Sequence, residues 1–267
     1  MQSLPLPSNE ELESMFRRHG GDVKRHGWRV QMRRRFGFYQ PAARYRALVD
    51  RLVNHESRWL DVGGGKTIFP NHRALSCDLA ERCELLVGVD PSENILQNDL
   101  VDEQAHMTIE QYQTDEVFDL ATLRMVAEHI SDPESVIESL NRLMRPGGCV
   151  VIYTPNKWSL MSMVASIIPD NLHASVVRIF SPRRQDEDVF PTCYKMNTKR
   201  TLRSLFENGG FDEAGFAYVD DCVATQRFRV TYFLELCLWR LFQLAGVRYP
   251  ENNILGVYQK RDQQTSI

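Results

Sequence analysis

Apolar positions along this chain repeat at two spacings, and the change from one to the other divides it. Up to residue 56 the spacing is helical, with Leu12, Met15 and Phe16 on one face and Tyr45, Leu48, Val49 and Leu52 on another. Prolines and polar residues at 5–9 make a loose start. From Arg58 short β-like runs alternate with helical stretches, the pattern of a parallel sheet wrapped by helices. Strands are predicted at 59–62, 85–89, 107–109, 118–123 and 150–154. Between the last two, Asp132 offers a capping acceptor and Pro133 takes the first helical position. Val136, Ile137, Leu140, Leu143 and Met144 then form one apolar face, until Arg145-Pro146-Gly147-Gly148 breaks the helix and turns into a buried strand.

Residues 157–197 do not parse as one more strand and helix, and read as an insertion over the carboxyl edge of the sheet. A helix resumes at 198–207, ends at Asn208-Gly209-Gly210, and leads to a strand near 211–219 and a closing one near 255–259. Between these two strands, 228–244 is a largely apolar helix. Its segment TYFLELCLWRLFQLAG (231–246) carries only Glu235 and Arg240 as charges. For this helix and for the apolar WSLMSMVASIIP at 158–169, two readings stay open: core or dimer packing, and contact with a lipophilic substrate or a membrane surface.

Chemistry concentrates in LDVGGGKT at 60–67, where an apolar strand ends in an acid and runs into three glycines. Glycines let the backbone turn tightly and approach a ligand, and a helix following directly would present unpaired amides. A nucleotide-phosphate loop needs a glycine five positions before Gly65, and Leu60 stands there. The dinucleotide pattern G-x-G-x-x-G fails as well, because Ile68 or Lys66 occupies a required glycine position. A second acid, Asp90, ends the apolar run Val87-Gly88-Val89 and is followed by Pro91 and Ser92. A carboxylate there can accept hydrogen bonds from both hydroxyls of a ribose. Asp61 and Asp90 are 29 residues apart, against roughly 20 in the dinucleotide analogue, which requires an extended loop or helix around 69–84.

Asp61, Gly63 and Gly65 after an apolar strand resemble the cofactor loop of class I methyltransferases, although Thr67 stands where a third glycine is frequent. FDLATLRMVAEHISDPE (118–134) resembles the fourth-strand motif of the quinone and small-molecule branch, and RPGG with VVIYTPN (145–156) its fifth-strand motif. The resemblance spans about 59–156, and Gly209-Gly210-Phe211 matches the usual lead into a sixth strand. It implies an α/β fold, Rossmann-like and doubly wound, with a mostly parallel seven-stranded sheet, a helical N-terminal cap and a lid insertion. Its divisions would be 1–56 (cap), 57–157 (cofactor core), 158–197 (lid) and 198–267 (completion of the sheet).

The cofactor so implied is S-adenosylmethionine, with S-adenosylhomocysteine as product. Asp61, Gly63, Gly64 and Gly65 would wrap its methionine end, Asp90, Pro91 and Ser92 its ribose, and Thr108, Ile109 and Glu110 its adenine. Arg124 would reach the carboxylate or an anionic acceptor, or pair with an acid.

Methyl transfer from a sulfonium is an in-line displacement, so positioning and exclusion of water dominate. If the acceptor is a hydroxyl, a base helps. His129, next to Glu128 beyond the fourth strand, is the catalytic candidate, with loop support as its other reading. Asn156, His173 and Tyr194 are candidates for the substrate side, with Arg183 and Arg184 as further lid residues. No HExxH or comparable spacing suggests a metal.

Composition adds boundaries. At 267 residues, 43% hydrophobic and 25% charged, the chain can bury one α/β core with appended segments. A net charge of −3 gives no global pull toward nucleic acid, yet residues 17–46 hold ten Lys or Arg against one acid, Asp22. That run reads either as a solvated face pairing with acids elsewhere or as a polyanion contact. Six cysteines lack zinc or disulfide-framework spacing. The N-terminus lacks the pattern of a signal peptide and no run reaches the roughly 18 apolar residues of a membrane span, so a cytoplasmic protein, monomeric or homodimeric, is expected. Methyl transfer to a small molecule, lipophilic in one version and accepting on oxygen, is the leading expectation. A nucleic-acid methyltransferase using the basic segment and a non-catalytic scaffold of the same fold are the alternatives.

Overall fold

β1 (Arg58–Val62) is an interior strand of the sheet, with Trp59 and Leu60 fully buried toward opposite faces. The computed structural model describes residues 4–159, 190–222, 225–250 and 252–262. β1 pairs in parallel with β2 (Leu85–Val89) and β4 (Phe118–Arg124). β3 (Glu103–Ala105) adds to β2 and β5 (Met144–Pro155) to β4, again in parallel. β7 (Asn252–Lys260) runs antiparallel beside β5, and β6 (Phe211–Asp220) antiparallel beside β7. The order β3-β2-β1-β4-β5-β7-β6 is the expected mostly parallel, seven-stranded, Rossmann-like α/β sheet.

Two layers of helix bury its faces. On one, α5 (Pro133–Leu143) and α6 (Lys199–Asn208) pack Val136, Ile137, Leu140, Leu202 and Phe206 against Leu60, Val87, Leu123 and Ile152. On the other, α1 (Asn9–Gly20), α3 (Pro41–Leu52) and α4 (Arg73–Arg82) place Leu12, Tyr45, Leu48 and Leu79 against Trp59, Leu86, Leu120 and Val151. Strands covered on both faces need apolar residues at every position, which is why they read as runs and not alternations. The α5 start is as expected: Asp132 accepts from the Ser135 N–H, and Pro133 lacks only a donor the first turn leaves unbonded anyway.

α2 (Trp28–Phe36) and α7 (Arg229–Leu244) form a smaller layer, in which Phe38, Tyr232, Leu236, Trp239 and Tyr249 are buried together with Trp28, Met32 and Phe36 alongside. The basic run is partly neutralised within the N-terminal region, Arg17 and Arg34 by Glu13 and Arg18 by Asp50.

Three local expectations are corrected. The strand foreseen at 107–109 lies earlier, at Glu103–Ala105, and 107–109 belong to the turn that follows. β3 is an edge strand, so Glu103 and Gln104 are exposed and its apolar signal is weak, while Ile109 reaches the core from the turn. No helix follows the glycines directly; α4 begins at Arg73, after a loop over 63–72, and this excursion accounts for the long spacing between Asp61 and Asp90. Arg145–Gly148 does not precede the fifth strand but forms its irregular beginning, with a register shift opposite Phe118 and Leu120. Most of the expected lid, including His173, Arg183 and Arg184, lies outside the described residues.

Candidate cofactor and active site

Asp61 and Asp90 stand at or just beyond the carboxyl ends of adjacent parallel strands, where open α/β sheets bind ligands. Asp61 is buried and accepts at 2.7 Å from Thr122 Oγ1, which in turn accepts from Trp59 Nε1 at 2.7 Å. Burial pushes the Asp61 carboxyl up to about 7; the Thr122 bond and the Arg124 charge oppose the rise, and the Asp90 charge adds to it. Asp90, also buried, accepts from the Gly65 N–H at 2.9 Å on one oxygen and from the Ser92 N–H at 2.7 Å on the other. The Pro91 carbonyl meets His106 Nε2 at 3.0 Å.

The glycines are there for sterics. Gly63 has φ +73° and its N–H donates to the Val89 carbonyl at 2.8 Å; a Cβ there would lie 2.2 Å from Val126 Cγ2. Gly64 lies over Asp61, since its Cβ would meet Asp61 Oδ2 at 3.1 Å. The loop thus runs across one carboxylate and is tied to the other.

Cations gather on the α3 side of the same edge. Arg124 ends β4 in register with Tyr153, and the next residue, Met125, takes the left-handed φ of +57° while donating its N–H to the Tyr153 carbonyl at 2.7 Å. A non-glycine residue held there is a strained position of the kind that clusters at functional sites. Arg46 of α3 is brought down to about 10, first by burial, then by Arg124 and Arg33, with Tyr153 opposing. Its Nε is buried with no hydrogen-bond partner among the described residues. His72 is lowered to about 4 by burial and by Arg46 and His19. Tyr45 and Tyr153, stacked at 5.4 Å, are buried beside these cations, and burial raises both phenols. A buried, orphaned guanidinium N–H beside a second arginine is a seat for an anionic group.

Beyond β3, Thr108 and Glu110 are half-buried and Ile109 is in the core; the Thr108 N–H donates to Gln111 Oε1 at 3.3 Å. Past β4, Glu128 is buried and accepts from Thr154 Oγ1 at 2.8 Å, and Asn197 Nδ2 donates to that hydroxyl at 2.6 Å. The Glu128 carbonyl accepts from the N–H groups of Cys193 and Tyr194, which pins the chain returning after residue 189. His129 places Nδ1 3.0 Å from the Pro191 carbonyl and Nε2 3.9 Å from Glu128 Oε1.

Asn156 is buried; its Nδ2 donates to the side-chain Oδ1 of Asn252 at 2.6 Å and its Oδ1 accepts from the Trp158 N–H, so the amide links the end of β5 to the Asn252 side chain and to the backbone that follows. Tyr194, with φ +47°, lines a cleft of about 1290 Å³ beside Trp158, Cys193 and Tyr218. None of the cofactor-loop residues lines that cleft. Asp61, Gly63, Gly64, Gly65, Asp90, Pro91, Ser92 and Arg124 therefore converge on one sheet edge, whereas Asn156 is engaged elsewhere. Arg46, Thr122 and Met125 were not foreseen. Thr122, a polar residue inside the apolar FDLATL run, was the one readable signal, since Arg46 is hidden in the basic run and Met125 is marked only by its backbone angle.

Residues 33–213, more than half of the chain, match the methyltransferase domain family, and the chain belongs to it. With this strand order, it is a class I S-adenosylmethionine-dependent methyltransferase by family, and S-adenosylmethionine is the cofactor of that class. Among known relatives it is similar to the ubiquinone biosynthesis O-methyltransferase of Aeromonas salmonicida, 32% identical over 110 residues, covering 38% of this chain and 44% of that protein. The protein of the same name from Pasteurella multocida is 28% identical over 141 residues, covering 43% and 56%. The chain thus matches about half the length of these relatives. Among solved structures, the cyclase SpnF shares the fold at 15% identity and a TM-score of 0.50, covering 97% of this chain and 99% of that one. Among the described residues no group of His, Cys, Asp or Glu could hold a metal, and no helix is long and apolar enough to cross a membrane.

Proposed function

We propose that this protein transfers the methyl group of S-adenosylmethionine to a hydroxyl oxygen of a small, lipophilic acceptor in the cytoplasm. The observation carrying this reading is the pair of buried carboxylates, Asp61 and Asp90, tied together by the Gly63–Gly65 loop at the ends of β1 and β2. Asp90, with Pro91 and Ser92, accepts the ribose hydroxyls; Asp61 faces the amino group, and Arg46 with Arg124 the carboxylate of the methionine end. Thr108, Ile109 and Glu110 flank the base. When bound, the cofactor supplies an electrophilic methyl on a sulfonium, and the chain's own task is alignment and exclusion of water.

On the acceptor side His129 receives the hydroxyl proton. Its Nδ1–H donating to the Pro191 carbonyl leaves Nε2 with a free lone pair, and Glu128 stands close enough to stabilise the imidazolium. Tyr194 contributes to the acceptor side, while Asn156 acts indirectly by fixing the β5–β7 edge through Asn252. Oxygen as acceptor atom is favoured because both ubiquinone-pathway relatives are O-methyltransferases.

Calorimetric titration with S-adenosylmethionine and S-adenosylhomocysteine, beside Asp90→Ala, tests the cofactor site: micromolar binding that the variant loses is expected. Radiolabel transfer to catechols and hydroquinones, against matched anilines, then tests the acceptor atom. A folded wild type that binds neither cofactor form overturns the reading, and transfer to anilines alone overturns the choice of oxygen.

A further inference from the structure

The α7 helix buries Tyr232, Glu235, Leu236 and Trp239 against α2 and turns its other face outward. Val230, Leu234, Cys237, Leu241 and Leu244 follow one another at four- and three-residue steps, a continuous apolar stripe. Val230 and Leu244 are each 72% exposed and Leu241 62%. Isolated exposed leucines are ordinary, but a ridge of this length on one helix marks a contact surface.

Its rim is cationic. Arg227, Arg229, Arg240 and Arg248 border the helix, and Arg29 joins from α2 by donating to the Arg227 carbonyl. Arg229 lies over the Trp28 ring and Arg248 over the Tyr218 ring, so aromatic faces hold both at the edge of the patch. Among the described residues none of these five arginines pairs with a carboxylate within 4.0 Å. The sole acid between residues 225 and 248 is Glu235, which is buried and bonded to Thr225 and Tyr249.

We infer that the outer face of α7 docks on the surface of an anionic lipid bilayer. The four-and-three spacing would also suit a second copy of the helix. The rim argues against that partner, because a two-fold interface brings the same face to itself and would set arginines against arginines, while Asp220, an acid beside α7, already accepts from Trp239 and Gln243. Nucleic acid would neutralise the rim but leave the ridge without a role, since aliphatic leucines provide no stacking platform for bases. Anionic headgroups meet the arginines while the ridge enters the boundary of the acyl region. At 16 residues the helix is too short to span, so it lies along the surface.

Flotation of the full-length protein with vesicles tests this, using phosphatidylcholine alone or with phosphatidylglycerol added, at low and high salt. Wild type is expected to float with the anionic vesicles at low salt and to lose at least about tenfold in partitioning on phosphatidylcholine or at high salt. Leu234→Ser/Leu241→Ser/Leu244→Ser should lose about tenfold or more on anionic vesicles, and Arg229→Glu/Arg240→Glu the preference for charge, both with an unchanged melting temperature. Failure of the wild type to float, or equal flotation of the triple variant, overturns the proposal. A dimer that the triple variant splits, without vesicle binding, assigns the face to a second copy. A salt-sensitive RNA shift without vesicle binding assigns it to nucleic acid.

Discussion

The Gly65 N–H and the Asp90 carboxylate, 2.9 Å apart, latch the loop after β1 to the acid that ends β2. The same carboxylate also accepts from the Ser92 N–H, so Asp90 organises two loops before any ligand arrives. Asp90→Ala removes both acceptors and, on the proposed reading, the partner of the ribose hydroxyls. Affinity for S-adenosylmethionine should fall by about a hundredfold or more, and unfolding stability by about 1–3 kcal/mol from the two N–H groups left behind. Calorimetry and urea unfolding read the two effects separately; retained affinity would remove Asp90 from the site.

Gly63 makes the prediction with the clearest rescue. Gly63→Ala introduces a methyl 2.2 Å from Val126 Cγ2 at a φ of +73°. A loss of about 2–4 kcal/mol is expected, from the clash and from the left-handed backbone together. Adding Val126→Ala relieves only the clash. The double variant should therefore recover part of the loss and keep about 1–2 kcal/mol of it. Full recovery would show that the backbone angle carries no strain.

Asp61 ties stability to pH. Its folded value of about 7 lies above the ordinary 3.8, so the folded state holds the proton more tightly than the unfolded chain does. The stabilisation from the neutral form is complete below 3.8 and is lost as pH rises through about 7. Asp61→Asn should remove this loss, so that the variant's melting temperature gains on the wild type's as pH increases across that window. Cofactor affinity should move the other way, rising with pH in the wild type as the ionised carboxylate meets an ammonium group and flat in the variant. Parallel pH profiles for the two proteins, in melting or in binding, would contradict the assignment.

Much of the candidate site was legible because covalent neighbours make it. Asp61, the glycines, Asp90 and Ser92 lie on two short segments, and strand ends next to turn residues are local signals. Arg46 and Thr122 were not legible as site residues, because their roles arise from register. Thr122 sits opposite Asp61 in the β1–β4 pairing, and Arg46 reaches the edge only because α3 packs across β5 near Tyr153. β3 was misplaced for a related reason: an edge strand with one neighbour lacks the apolar content that marks a central one. Asn156 was singled out by position, and its hydrogen-bond partner Asn252, nearly a hundred residues later, could not be read from the chain.

His129 separates catalysis from scaffolding. Its Nδ1 donating to the Pro191 carbonyl leaves Nε2 as the acceptor, the form a base requires. His129→Gln keeps a donor and some of the packing but cannot take up a proton. If the imidazole receives the acceptor's proton, kcat should fall by about 10²–10⁴-fold, with cofactor affinity unchanged and the acid limb of the pH–rate profile gone. An acceptor whose hydroxyl is already ionised at the assay pH should lose far less rate, because no proton remains to be removed. If the ring only anchors the strand at Pro191, the substitution should instead raise KM, lower the melting temperature and leave the shape of the pH profile intact. Measuring kcat across pH for a neutral and a pre-ionised acceptor distinguishes the two roles.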